Sequence, residues 1–127
     1  MVLMAQSASA ESKAARYLIR EQIKAACPAG GTFDKAGIIE RDLTGDGKSD
    51  LILDHGAITC NDGNRSGFCG IRACSVLFYV REGNLLKQKL EILSIGATVT
   101  GGNPPSIKLT GHNFQESSVR WNGATFH

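Results

Sequence analysis

Four cysteines constrain this chain more than any other feature. Cys60, Cys69 and Cys74 crowd one short stretch, and Cys27 stands far upstream. An even set of cysteines in a chain of 127 residues reads as a disulfide framework, and with it an oxidising compartment. Zinc is the rival partner, but zinc favours tight C-x2-C knuckles. Here the gaps within the stretch are eight and four residues, with no histidine between them. A nucleophilic Cys69 or Cys74 is a third reading, and no histidine stands near either in sequence. Two disulfides are therefore expected. Four cysteines allow three pairings, and the sequence does not choose among them. Because Cys27 alone is remote, one bridge should tie the N-terminal segment to the crowded stretch and the other should lie within it.

The start of the chain also reads as the tail of an export signal. Ala8-Ser9-Ala10 has the small-x-small pattern that precedes signal-peptidase cleavage, although the apolar run before it is short and no basic residue leads it. Residues 1–10 read as a signal-peptide remnant or a disordered tail, and residues 11–127 as one domain, periplasmic or secreted. Hydrophobic residues make up 42% of the chain and charged residues 20%, a balance that excludes extended disorder. No apolar run is long enough to span a bilayer. A net charge of +2 gives weak attraction to nucleic acid, and none is expected as a partner.

Periodicity supplies the fold class. In residues 11–26, Ala14, Ala15, Leu18, Ile19, Ile23 and Ala26 recur at helical spacing, with charged residues between them. The alanine-rich face lacks tryptophan, which favours packing on a sheet over lying on a membrane. Cys27-Pro28 and Gly30-Gly31 end the helix. Residues 37–41, 50–54, 57–60, 75–81 and 106–110 read as strands, and 85–95 contains another. Residues 101–105 read as a loop. Asn122-Gly123 suits a type I′ hairpin turn between 119–121 and 124–126. The expected fold is α+β, an N-terminal helix on a mostly antiparallel sheet, stapled by disulfides.

Residues 42–50 carry the most specific pattern. Asp42, Thr44, Asp46 and Asp50 stand at loop positions one, three, five and nine, and Gly47 allows the sharp turn at position six. Lys48 at position seven would offer its backbone carbonyl. Calcium takes six to eight oxygens from such a curled chain. An EF-hand needs glutamate at position twelve on an exiting helix. Leu53 stands there instead, in a stretch that reads as a strand. The loop Asp-Leu-Thr-Gly-Asp-Gly-Lys-Ser-Asp resembles the Asp-x-Asn-Gly-Asp-Gly-x-x-Asp loops of FG-GAP and VCBS type, over residues 39–53. That resemblance implies bound calcium, with Thr44 a weaker ligand than the usual Asn or Asp. Together with Phe68-Cys69-Gly70…Cys74 and the closing Trp121-Asn122-Gly123, it makes the chain similar to small periplasmic proteins of alphaproteobacteria, which implies a compartment rather than an activity.

Other residues give less. Asp54-His55 invites a Ser-His-Asp reading, but there is no Gly-x-Ser-x-Gly elbow, and His55 is expected at the surface. Asp34, Glu40 and Asp54 show no spacing that singles out an acid pair. Arg65, Arg72 and Arg81 read as solvated positions, and Trp121 as core. No catalytic residue is expected. The leading expectation is an exported, non-catalytic calcium-binding domain that acts as a binding or interaction module toward a protein or glycan of the cell envelope. Its surface would be the residue 61–73 loop beside the calcium edge. The alternatives are a small periplasmic hydrolase using Asp54, His55 or a free cysteine, and an inhibitor of a cell-wall hydrolase.

Overall fold

The computed structural model describes residues 11–127, so the expected signal-peptide remnant lies outside the described residues. The helix forms as α1, Lys13–Ala26. It begins at Lys13 because Ser12 is its cap, with the Ser12 hydroxyl accepting from the Ala15 amide at 3.2 Å. At the other end Cys27 turns extended, its amide still bonded to the Ile23 carbonyl.

Nine strands follow: β1 (Gly31–Phe33), β2 (Ile38–Arg41), β3 (Asp50–Asp54), β4 (Ile58–Cys60), β5 (Cys74–Glu82), β6 (Leu85–Ser94), β7 (Ala97–Gly102), β8 (Pro105–Thr110) and β9 (Glu116–Arg120). They form three antiparallel sheets in the orders β1-β4, β2-β3-β5-β6 and β7-β8-β9. Two single 3-10 turns, Lys35–Gly37 and His55–Ala57, are each capped by the preceding aspartate side chain, Asp34 and Asp54.

The four-stranded sheet is the middle layer. On one face Leu51, Leu53, Leu77, Tyr79 and Leu86 pack against Ala15, Ala14, Leu18 and Ile19 of α1. On the other, Ile52, Val76, Phe78 and Val80 meet Ile107 and Leu109 of β8, together with Phe126 and Leu43. Both faces of β3 and β5 are covered, so these strands read as unbroken apolar runs rather than as alternation. Between β5 and β6 the register slips: Phe78 faces Leu90, but Tyr79 faces Gln88, which leaves Lys89 as an extra residue. Side chains of a regular strand alternate, so Leu86, Leu90 and Ile92 should share one face. The bulge reverses them, turning Leu86 toward the helix while Leu90 and Ile92 reach the other sheet.

Three expectations are corrected. Residues 101–105 are loop only at Asn103-Pro104. β7 continues through Gly102, and β8 starts at Pro105, so the segment is a tight hairpin connection. The final hairpin does not turn on Asn122-Gly123 alone. Trp121 bridges Phe126 across four residues, and the Asn122 carboxamide oxygen accepts from the amides of Ala124 and Thr125 at 3.0 and 2.9 Å. Gly31, expected only to end the helix, opens β1, whose pairing with β4 lies too far along the chain to leave a local pattern.

All four cysteines are bridged, as Cys27–Cys60 and Cys69–Cys74. The first ties the end of α1 to β4, and the second closes a hairpin within the crowded stretch.

Candidate metal centre

β2 and β3 are antiparallel neighbours, and residues 42–49 connect them. Asp42 organises the start of this connection. Its Oδ1 accepts from the amides of Thr44 at 3.0 Å and Gly45 at 2.8 Å, and its Oδ2 from the Gly47 amide at 2.8 Å. Asp46 Oδ1 accepts from the Lys48 amide at 2.9 Å. Gly47 has φ of +85° with open space where a Cβ would stand, so it is required by backbone conformation rather than by crowding.

Asp50, the first residue of β3, is fully buried. Its Oδ2 accepts from the Leu43 amide and its Oδ1 from the Arg81 amide, both at 2.8 Å. Leu43 is itself in the main core, so the loop is pinned at its second position by apolar packing. Arg81 then fastens the exit. Its guanidinium bonds the Ser49 carbonyl at 2.9 Å and pairs with Glu40 at 2.9 Å, while Glu40 also accepts from the amide and hydroxyl of Ser12. This Arg81–Glu40–Ser12 chain joins the end of the sheet that carries residues 42–49 to the start of α1. Arg81 is thus not a solvated charge and Glu40 is not part of an acid pair; only the pairing of distant strands gives them this role.

One carboxylate oxygen from each of Asp42, Asp46 and Asp50 lies within 4.8 Å of the others. Oxygens bound to one calcium at about 2.4 Å are separated by at most about 4.8 Å, so the three are close enough to share an ion. Among the described residues no second such cluster forms. The electrostatics differ along the loop. Burial pushes the Asp42 carboxyl up, but the amides of Gly47, Gly45, Thr44 and Asp46 outweigh it and hold the group below its ordinary value. Burial pushes the Asp50 carboxyl above its ordinary value, with the charges of Asp46 and Asp42 adding to the rise and the amides of Arg81 and Leu43 opposing it. Thr44 Oγ1 lies 3.5 Å from Asp42 Oδ1, and Lys48 is exposed. The donor set is hard oxygen around concentrated negative charge, the chemistry that hard divalent cations take.

The residue 61–73 loop is not beside this edge. It is linked to the opposite end of β3: Ser66 contacts His55, and Cys74 opens β5 at the end where Val76 pairs with Asp54. Four residue steps along β3, about 13 Å, separate Asp50 from that end. The neighbour of the residue 42–49 loop is instead the β7–β8 turn, where Asn103 Oδ1 would meet a Cβ placed on Gly45 at 2.9 Å.

His55 is buried, not at the surface. Gln22 Oε1 lies 2.7 Å from its Nε2, and the Ser66 hydroxyl lies 2.6 Å from its Nδ1, so both ring nitrogens are within hydrogen-bond reach of a side chain. Ser66 Oγ also accepts from the Phe68 amide at 3.0 Å, and the Phe68 ring meets the imidazole edge-on at 5.0 Å. Burial lowers the His55 pKa, with Glu91 pulling the other way. The Ser66–His55–Gln22 order has the connectivity of a hydrolytic triad, but serine and histidine are both enclosed and bind the cysteine loop to α1. Gln22 lies 33 residues from His55, too far for any local motif. Asp54 bonds the Gly56 amide at 2.8 Å and joins no such network. His112 and His127 are exposed.

No family model, curated protein or solved structure matches the chain.

Proposed function

We propose that this is an exported calcium-binding domain that acts as a non-catalytic interaction module. Asp42, Thr44, Asp46 and Asp50 would give side-chain oxygens to the ion, and Lys48 its carbonyl. One observation carries the reading: the carboxylates at loop positions one, five and nine converge within 4.8 Å, one of them fully buried. Three like charges this close repel one another without a cation. Two disulfides support an oxidising compartment, hence the periplasm or the exterior. The surface that calcium would stiffen is a groove of about 820 Å³ at the same end of the sheet, bordered by Ser12, Lys35, Glu40, Lys48 and Arg81. Its mixed charge suits a polar protein or glycan partner in the envelope. Of the groups the hydrolase reading named, both nitrogens of His55 are engaged inside the protein, Asp54 caps a turn through the Gly56 amide, and all four cysteines are bridged.

Isothermal calorimetry is the test. One calcium should bind, with a dissociation constant of about 10⁻⁴–10⁻³ M or somewhat tighter. Asp46→Ala should abolish the heat. The absence of heat and of any thermal shift at millimolar calcium in the unaltered protein would remove the proposal.

A further inference from the structure

The two disulfides sit in opposite chemical settings. Cys27 and Cys60 are both buried, packed with Ala26 and Ile58. Cys69 and Cys74 instead flank a tight turn, closed by the Gly70 amide on the Ala73 carbonyl at 2.8 Å, which holds Ile71 91% exposed. The two residues of this second bridge are not equivalent. Cys74 is buried, whereas Cys69 is partly open to solvent. Arg65 Nη2 stands 3.0 Å from Cys74 Sγ, and its Nη1 is anchored on the carbonyls of Gly70 at 3.1 Å and Ile71 at 3.3 Å. Cys69 Sγ faces a carbonyl instead, that of His55 at 3.7 Å. A cation beside a sulfur stabilises its thiolate, and a carbonyl beside one stabilises the thiol.

We propose that Cys69–Cys74 is a thiol-exchange site for a dithiol partner, with Cys69 the sulfur attacked and Cys74 the leaving thiolate held by Arg65. A partner thiol loses its proton to solvent, and its thiolate attacks Cys69 Sγ. The Cys69–Cys74 bond breaks, its electron pair departs on Cys74 Sγ, and a mixed disulfide joins Cys69 to the partner. The partner's second thiolate, its proton also lost to solvent, then attacks the partner sulfur of that mixed disulfide and releases Cys69, which takes up a proton. The partner is oxidised from dithiol to disulfide, and the two electrons reside on Cys69 as thiol and Cys74 as thiolate against the guanidinium. Cys27–Cys60 meanwhile holds α1 to β4, so the fold survives the cycle. Exposed Phe68 and Ile71 beside the bridge give an approaching partner an apolar foothold.

The experiment uses the oxidised full chain at neutral pH, quenched in acid, alkylated and mapped by peptide mass. Limiting dithiothreitol should open Cys69–Cys74 and leave Cys27–Cys60 intact. In a parallel reaction with reduced glutathione in place of dithiothreitol, glutathione should be found on Cys69, with a free thiol at Cys74. Arg65→Gln should slow the opening by about threefold to tenfold, the range expected when a cation beside a leaving sulfur is lost, and Arg65→Lys should restore most of the rate. Opening of Cys27–Cys60 first or together with the other bridge, or glutathione on Cys74, would overturn the proposal. So would an Arg65→Gln protein that opens as fast as the parent. If circular dichroism finds Arg65→Gln misfolded, the order of opening and the position of glutathione in the parent chain decide alone.

Discussion

Asp46→Asn separates the metal from the fold. Asp46 is exposed, and its one internal bond is to the Lys48 amide, which an asparagine carbonyl can also accept. In chelator the change should therefore move stability by no more than about 0.5 kcal/mol. Calcium changes the comparison, because a ligand that binds only the folded chain stabilises it by mass action. With a dissociation constant of about 10⁻⁴–10⁻³ M, calcium at about 10 mM should add roughly 1.4–2.7 kcal/mol. For a domain of this size that corresponds to a rise in melting temperature of roughly 5–10 °C. The parent should show that rise, and Asp46→Asn should lose most of it, since the variant presents a neutral oxygen where the cluster had a charge. Paired thermal melts by circular dichroism, in chelator and in calcium, make the measurement. Equal calcium shifts in the two proteins would refute the ligand assignment. A large drop for the variant in chelator would refute the claim that Asp46 serves the ion rather than the fold.

Four further outcomes follow from the packing. Burial depresses the His55 pKa below 6.5, so between 6.5 and that lower value the unfolded chain holds more protons; stability should fall as pH drops through this window and level off below it, and urea melts of the parent and His55→Gln, which should lose the slope, will check it. Deleting Lys89 should abolish the face reversal in β6 and cost about 3 kcal/mol or more in chemical denaturation, because Leu86 or the Leu90–Ile92 pair must leave the core, whereas Lys89→Ala should cost about 0.5 kcal/mol or less. The Tyr79 hydroxyl is buried with no hydrogen-bond partner among the described residues, and burial pushes its pKa up to about 12, so Tyr79→Phe should stabilise the protein by about 1 kcal/mol in the same assay. Removing Cys27–Cys60 by a double serine substitution should cost about 2–5 kcal/mol, and alkylation of the oxidised parent without reductant should add no mass.

The α+β class was legible because its evidence is local. Ala15, Leu18 and Ile19 mark a helix face, and Leu51–Leu53 and Val76–Val80 are apolar runs too short for anything but buried strands. The parts that escaped reading depend on distant partners. Lys89 looks like any solvent residue of a strand, and only its lack of a partner opposite β5 makes it a bulge. β1 is three residues long and exists through β4. His55 looked like a surface residue because Gln22 and Ser66, which satisfy its nitrogens, come from other segments. In the candidate site, the spacing of Asp42, Asp46 and Asp50 was visible in the sequence. The burial of Asp50 under Arg81, and the separation of the loop from the cysteine hairpin, required the sheet.

Both bridges join cysteines that are consecutive along the chain, Cys27 to Cys60 and Cys69 to Cys74. A polypeptide delivered N-terminus first and oxidised as it emerges meets its thiols in that order. Cys27 finds Cys60 before any competitor has appeared, and by then residues 42–50 are already through. Cys69 arrives next and has only Cys74 left to take. Pairing by order of arrival thus yields the native pattern without a proofreading step. Oxidative refolding of the complete reduced chain, in which all four thiols compete at once, should pass through wrongly paired species that directional delivery avoids.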